Sequence, residues 1–122
     1  MDSLLTPLQK TFLQALFADL VGHHFFLTGG TALAAFHLQH RLSDDLDLFT
    51  LSDVALQAAV SPIDVISANM HCTLQRTRVT QYFHRLSLTH PQYDAPLKID
   101  LVQDFGPQYG ERVIRDGITV DS

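Results

Sequence analysis

The sequence predicts an α+β or mixed α/β sandwich, and three features lead there. Apolar residues recur at three- and four-residue steps through the first 20 positions. A strand, a glycine turn, a helix and a second strand then follow one another up to about residue 51. Beyond residue 72 the chain reads as β segments, several alternating apolar with polar residues. An amphipathic helix needs a surface to cover, and a half-buried sheet offers one.

Thr6-Pro7-Leu8-Gln9 reads as a helix start, with threonine as N-cap, proline at the first helical position and glutamine closing a capping box. Leu8, Phe12, Leu13, Leu16, Phe17 and Leu20 form its apolar stripe, and Gly22 is expected to supply the stop. His24 to Thr28, rich in phenylalanine, predicts a short buried strand that runs directly into Gly29-Gly30. A second helix of about three turns, roughly 15 Å, is expected over Thr31 to His40. Arg41-Leu42-Ser43 brings the chain back to a strand over Asp45 to Leu51, with Asp45 and Asp47 on one face and Leu46 and Leu48 on the other. Ser52 and Ser61-Pro62 predict the N-caps of two short helices, or of one helix interrupted at the proline, over about Asp53 to Asn69. Strands are expected at Cys72 to Thr80, Tyr82 to Thr89 and Leu97 to Val102, with loops at His90-Pro91 and Gly106-Pro107. The first two can pair as a hairpin around Gln81, and in the third Lys98 and Asp100 face away from Leu97, Ile99 and Leu101.

The 122 residues suffice for one compact domain, 1–122, and are too few for two. No apolar run approaches the roughly 20 residues that span a bilayer, so no membrane role is expected. The start of the chain lacks the pattern of a secretory signal, and the only cysteine, Cys72, has no partner for an internal disulfide. A reducing cytoplasm is the expected setting. With a net charge of −5 and two lysines, the molecule's overall field opposes a nucleic-acid backbone, so a polyanion would need a local basic patch. Twelve of the thirteen acidic residues are aspartates, poor helix formers but short, stiff metal ligands.

Two aspartates one residue apart on a strand project in the same direction, and Asp100 joins them if its strand is a neighbour in the sheet. Such a hard-oxygen cluster suits Mg²⁺ or Mn²⁺. Two ions about 4 Å apart activate an attacking hydroxyl and neutralise charge on phosphorus and leaving group. Gly29-Gly30 adds the complementary half, since a turn without side chains at a helix start lets backbone N–H groups approach a triphosphate, with the Thr31 hydroxyl beside them. Taken singly, an Asp-x-Asp on a strand is more often a solvated face, and Gly-Gly before a helix occurs by chance.

The segment Leu27 to Phe49, LTGGTALAAFHLQHRLSDDLDLF, closely resembles the signature of the AbiEii/AbiGii-type nucleotidyltransferase toxins, a branch of the DNA polymerase β-like superfamily. Leu97-Lys98-Ile99-Asp100-Leu101-Val102 resembles the family's third-carboxylate strand. The resemblance implies the polymerase β-like fold, a mixed sheet flanked by helices, with an NTP as donor and Mg²⁺ or Mn²⁺ as cofactor. It makes Gly29 and Gly30 the phosphate turn, Asp45 and Asp47 the metal-binding acids, and Asp100 the acid that activates the acceptor hydroxyl. The acceptor implied is a hydroxyl of RNA, tRNA included, or of protein, and the biological setting a toxin with a cognate antitoxin or a phage-defence pair. Arg41 and Ser43 fall within the resembling segment and either contact phosphate or brace the acidic loop; Arg41 equally suits an ion pair with one of the aspartates. Relatives continue into a lysine-bearing helical region, and Ile118-Thr119-Val120 resembles the short strand before it, so the chain corresponds to the N-terminal half of such an enzyme. Two alternatives follow: a truncated, non-catalytic domain that binds metal or nucleotide or serves as an interaction module, and a small-molecule nucleotidyltransferase acting on an antibiotic.

Other residues have plainer readings. Asp44 faces away from Asp45 and Asp47 by alternation. His37 and His40 stand at helical spacing and His23-His24 form a pair, but no cysteine set or zinc-protease pattern accompanies them. Cys72 reads as a small core residue. Arg76, Arg78 and Arg85 form either a phosphate-binding patch, with Arg76 and Arg78 on one face, or a solvated strand surface that blunts edge pairing. Lys98 pairs with the acids or reaches a phosphate. Tyr82, Tyr93 and Tyr109 suit packing better than base stacking.

Overall fold

The computed structural model describes residues 5–27, 45–105 and 112–121. The expected second helix over Thr31 to His40 lies outside them, as do Gly29, Gly30, Thr31, His37, His40, Arg41, Ser43, Asp44, Tyr109 and the loop at Gly106-Pro107.

Helix α1 spans Pro7–Ala18. Its start is the capping box read from the sequence: the Gln9 N–H donates to Thr6 Oγ1 at 3.1 Å, and the Thr6 N–H donates to Gln9 Oε1 at 2.9 Å. Its end differs from expectation. Asp19 is the C-cap, and its carboxylate accepts from the Val21 N–H at 3.0 Å to open a 3-10 turn over Leu20–His24. Gly22 sits inside that turn rather than stopping α1, because a Cβ there would lie 2.1 Å from the Leu16 carbonyl oxygen. Glycine is needed for close backbone approach, not for helix termination.

Strand β1 (Phe25–Leu27) follows, and the chain is next described in β2 (Asp45–Thr50). Two helices come next, α2 (Ala55–Ala58) and α3 (Val60–Asn69). Their caps are Val54 and Ala59, not the expected Ser52 and Ser61, and neither makes a side-chain cap bond. The Ser52 hydroxyl instead accepts from the Val54 N–H at 3.3 Å, closing a turn ahead of α2. Ser61 and Pro62 fall within the first turn of α3, where proline removes an N–H that has no helical partner. Strands β3 (Thr73–Val79), β4 (Phe83–Thr89) and β5 (Leu97–Gln103) agree with the expected β run to within two residues. Beyond them, β6 (Arg112–Arg115) and β7 (Ile118–Asp121) pair through a two-residue turn at Asp116-Gly117, both with positive φ. That geometry matches the right-handed strand twist and favours an Asp-Gly pair.

Among the described residues the seven strands form one mixed sheet in the order β3-β4-β5-β2-β1-β7-β6. The two centremost pairings are β2 with β5, parallel, and β1 with β2, antiparallel. One face carries Leu46, Leu48, Ile99, Leu101, Leu86, Leu88, Ile118 and Val120, all buried in a single core with Phe12, Leu13 and Leu16 of α1, Ala55 and Leu56 of α2 and Ile63 of α3. Because side chains alternate, the same strands present Asp45, Asp47, Lys98, Asp100 and Arg85 on the opposite face.

Candidate active site

The acidic face is built by strand register. In the parallel pair β2 and β5, Asp47 stands opposite Asp100 and Asp45 opposite Lys98. Paired strands lie about 4.8 Å apart, so Asp47 and Asp100 are immediate neighbours. On the other side of β5, antiparallel β4 sets Arg85 opposite Asp100 and Ser87 opposite Lys98. The three carboxylates expected from sequence therefore share one face, on adjoining strands.

Asp45 is exposed, whereas Asp47 and Asp100 are half-buried. Burial, then the charges of Asp100 and Asp45, push the Asp47 carboxyl above its usual range, and Arg85 partly opposes them. Arg85 grips Asp100 with two bonds, Nε to Oδ1 at 3.0 Å and Nη2 to Oδ2 at 3.3 Å. That grip, with the charges of Asp45 and Asp47 behind it, raises the Arg85 guanidinium further above its already high value.

Beside the acids lies a cleft of about 340 Å³ whose walls include Asp45, Gln75, Thr77, Arg85, Ser87, Lys98 and Asp100. Alongside Arg85 lies the Phe83 ring, with the guanidinium groups of Arg85 and Arg78 at 5.1 and 5.8 Å from its centroid. Across β2 and β1 the border is apolar, where Phe26 and Phe49 pack at 6.3 Å between centroids and Arg112 lies 4.0 Å above Phe26.

The expected trio of strand arginines is divided. The register shifts between Arg76 and Arg78, and this bulge turns them to opposite faces. Arg76 leaves the acidic face and ties β3 to α3, donating to the Val60 carbonyl at 3.1 Å and pairing with Asp64 at 3.0 Å. Arg78 stays with Arg85, its partner in the ladder. Lys98 lines the cleft. Cys72 packs against the core, where burial raises its thiol. Tyr82 stacks edge-on against Phe105 at 4.9 Å, and Tyr93 against His90 at 5.1 Å.

The Arg85 clamp on Asp100 and the Arg112 border went unread in the sequence. From the sequence Arg85 reads as part of a patch with Arg76 and Arg78 on adjoining strands, and only the register of β4 on β5 reveals its partner. For β6 the signal was present, since Asp116-Gly117 lies between Ile114 and Ile118 as a hairpin turn does.

As a donor set, carboxylate oxygens on paired strand positions suit a hard divalent cation. Among the described residues, no three acidic, histidine or cysteine side chains are drawn together as a ready-made cage, and Asp100 is turned to Arg85.

The fold is shared with solved structures: 94% of the chain superposes on 49% of JHP933 from Helicobacter pylori, with a TM-score of 0.67 and 17% identity. It covers 51% of a candidate nucleotidyltransferase from H. pylori, with a TM-score of 0.63 and 16% identity, again over 94% of this chain. For the nucleotidyltransferase toxin MenT4 of Mycobacterium tuberculosis the values are 0.54 and 15%, with 94% of this chain on 41% of that one. The chain thus spans about half the length of the structures it matches. The chain belongs to the AbiEii toxin family: residues 11–115 match the family described as nucleotidyl transferase AbiEii toxin, type IV toxin–antitoxin system. No curated protein matches its sequence. No helix of the described residues is long and apolar enough to cross a membrane.

Proposed function

We propose that this chain transfers a nucleotidyl group from a nucleoside triphosphate to a hydroxyl of RNA or protein, with divalent metal, as the toxin of a toxin–antitoxin pair. The observation that carries this reading is the register that sets Asp47 against Asp100 on neighbouring parallel strands, with Asp45 on the same face. Family membership supports the nucleotidyl chemistry and a cognate antitoxin.

In such a transfer the acceptor oxygen forms a bond to the α-phosphorus, the bond from that phosphorus to the bridging oxygen breaks, and pyrophosphate leaves. Asp45 and Asp47, with Asp100 beside them, would hold Mg²⁺ or Mn²⁺, which would neutralise charge on the triphosphate. Asp100, opposite Asp47 on β5 and lining the cleft, would take the proton of the attacking hydroxyl. By the family resemblance Gly29 and Gly30 would be the phosphate turn; the Thr31 hydroxyl would add a donor, and Arg41 and Ser43 would contact phosphate or brace the acidic loop. The acceptor approaches from the cleft side, where Ser87, Thr77 and Gln75 offer hydrogen bonds.

Incubation with each α-labelled NTP, Mg²⁺ or Mn²⁺, and RNA or protein acceptors tests this directly. Label is expected in a macromolecular product, and Asp45→Asn and Asp47→Asn are expected to abolish it. Metal and nucleotide binding without label transfer would favour a non-catalytic binding domain. Variants that bind both ligands like the parent would sink the site assignment.

A further inference from the structure

We infer that Arg85 is the built-in counter-cation of the acidic face, and that it must release Asp100 before that carboxylate can serve a divalent metal. This rests on the reading of Asp45, Asp47 and Asp100 as a metal site.

The geometry leaves Arg85 room for a second position. In its present position the guanidinium fork takes both oxygens of Asp100, at 3.0 and 3.3 Å. A two-pronged arginine–carboxylate contact is directional and occupies the lone pairs that face the arginine. Arg85 is half exposed, its side chain at 52%, whereas Asp100 is at 16%. The arginine can therefore swing with little loss of packing while the aspartate stays. A resting place is already beside it: the Phe83 ring lies 5.1 Å from the guanidinium and keeps a cation attracted when the carboxylate lets go. Arg78, on the same ring at 5.8 Å, blocks full withdrawal toward β3 by like charge, so a released Arg85 stays in the cleft wall.

Arg85 then sets the threshold for metal binding. A cation bound to Asp100 lowers the negative potential that a divalent ion meets, and the ion must displace or outcompete it. Removing the charge while keeping a polar side chain is expected to tighten metal binding. An ion pair this exposed is weak, so the gain is about two- to fivefold in affinity and shrinks as salt rises.

The test is titration of the whole chain with Mn²⁺, without nucleotide, followed by the loss of the free-ion Mn²⁺ resonance signal. Arg85→Gln is expected to bind about two- to fivefold more tightly than the parent, and Arg85→Lys, which keeps the charge but not the fork, about as tightly as the parent. A parallel measurement needs no substitution: the Arg85 Nε–H signal in the NMR spectrum should move on adding Mg²⁺, as the bond to Asp100 is given up. Mn²⁺ binding by parent and Arg85→Gln with equal affinity, or weaker binding by the variant, overturns the proposal alone. An Nε–H signal unmoved at saturating Mg²⁺ does the same. Absence of binding by parent, variant and Asp47→Asn alike overturns the metal reading and this proposal with it.

Discussion

Asp47→Asn is expected to make the metal-free protein more stable and to remove its response to metal. Asp47 faces Asp100 across one strand spacing of about 4.8 Å, a separation at which two unit charges repel by about 0.9 kcal/mol in water and about 3.5 kcal/mol at an effective dielectric near 20. Both groups are half-buried and Arg85 offsets part of the repulsion, which leaves about 1 kcal/mol for asparagine to recover. For a domain of this size that is about 3–5 °C in Tm. The pH dependence has a definite sign. The folded-state pKa of Asp47 lies above its unfolded value, so the native state binds the extra proton between the two. Stability therefore falls as pH rises from about 3.9 through the folded value, and is flat above it. Thermal unfolding in chelator at neutral pH should show the variant melting higher; with Mn²⁺ added, the parent should gain and the variant should not. A variant that melts at or below the parent in chelator, or an equal Mn²⁺ gain in both, refutes the reasoning.

Two further substitutions address the scaffold. Gly22→Ala would set a methyl 2.1 Å from the Leu16 carbonyl oxygen and 2.7 Å from the Phe17 Cα, both backbone atoms, so a loss of about 3 kcal/mol is expected in urea unfolding; a loss under about 1 kcal/mol would contradict the contact. His84 is buried, its Nε2 has no hydrogen-bond partner, and burial and the nearby Arg76 hold its pKa below the usual histidine value. Its unfolded form takes a proton first as pH drops below about 6.5, so stability should fall from there until the folded value is reached. His84→Asn should flatten that slope, and an unchanged slope would assign it to other groups.

What the sequence disclosed follows the range of the interactions involved. The α1 start was legible because a capping box is complete within four residues, Thr6 to Gln9. The common face of Asp45 and Asp47 was legible because strand alternation is local. Asp100 was legible only as a conditional, since its place beside Asp47 depends on β5 pairing with β2 across some 50 residues of chain. Alternation misled where the ladder slips: counting by twos put Arg76 with Arg78, and the bulge between them separates a strut to α3 from the ladder partner of Arg85. Serines misled at α2 and α3 because helix packing through Ala55, Leu56, Ala59 and Ile63 fixed the helix starts without side-chain caps.

The two faces of β2 and β5 explain how the chain sustains a cluster that repels itself. Leu46, Leu48, Ile99 and Leu101, each at most 1% exposed, alternate with Asp45, Asp47, Lys98 and Asp100 along the same two strands. Each buried aliphatic side chain contributes about 1.5–3 kcal/mol, so the core side of this strand pair outweighs roughly 1 kcal/mol of repulsion on the other several times over. The pairing that buries the leucines also forces the aspartates together, since a register slip that parted Asp47 from Asp100 by one residue would turn the apolar set out of the core. The acids are thus held at close range by hydrophobic burial rather than by any attraction among themselves. Readouts should divide accordingly. Leu48→Ala is expected to cost about 2–5 kcal/mol of stability, whereas Asp47→Asn should add stability and lose metal response. A Leu48→Ala protein that, while still folded, has lost the Mn²⁺ response as completely as Asp47→Asn would show the two faces to be coupled by more than strand register.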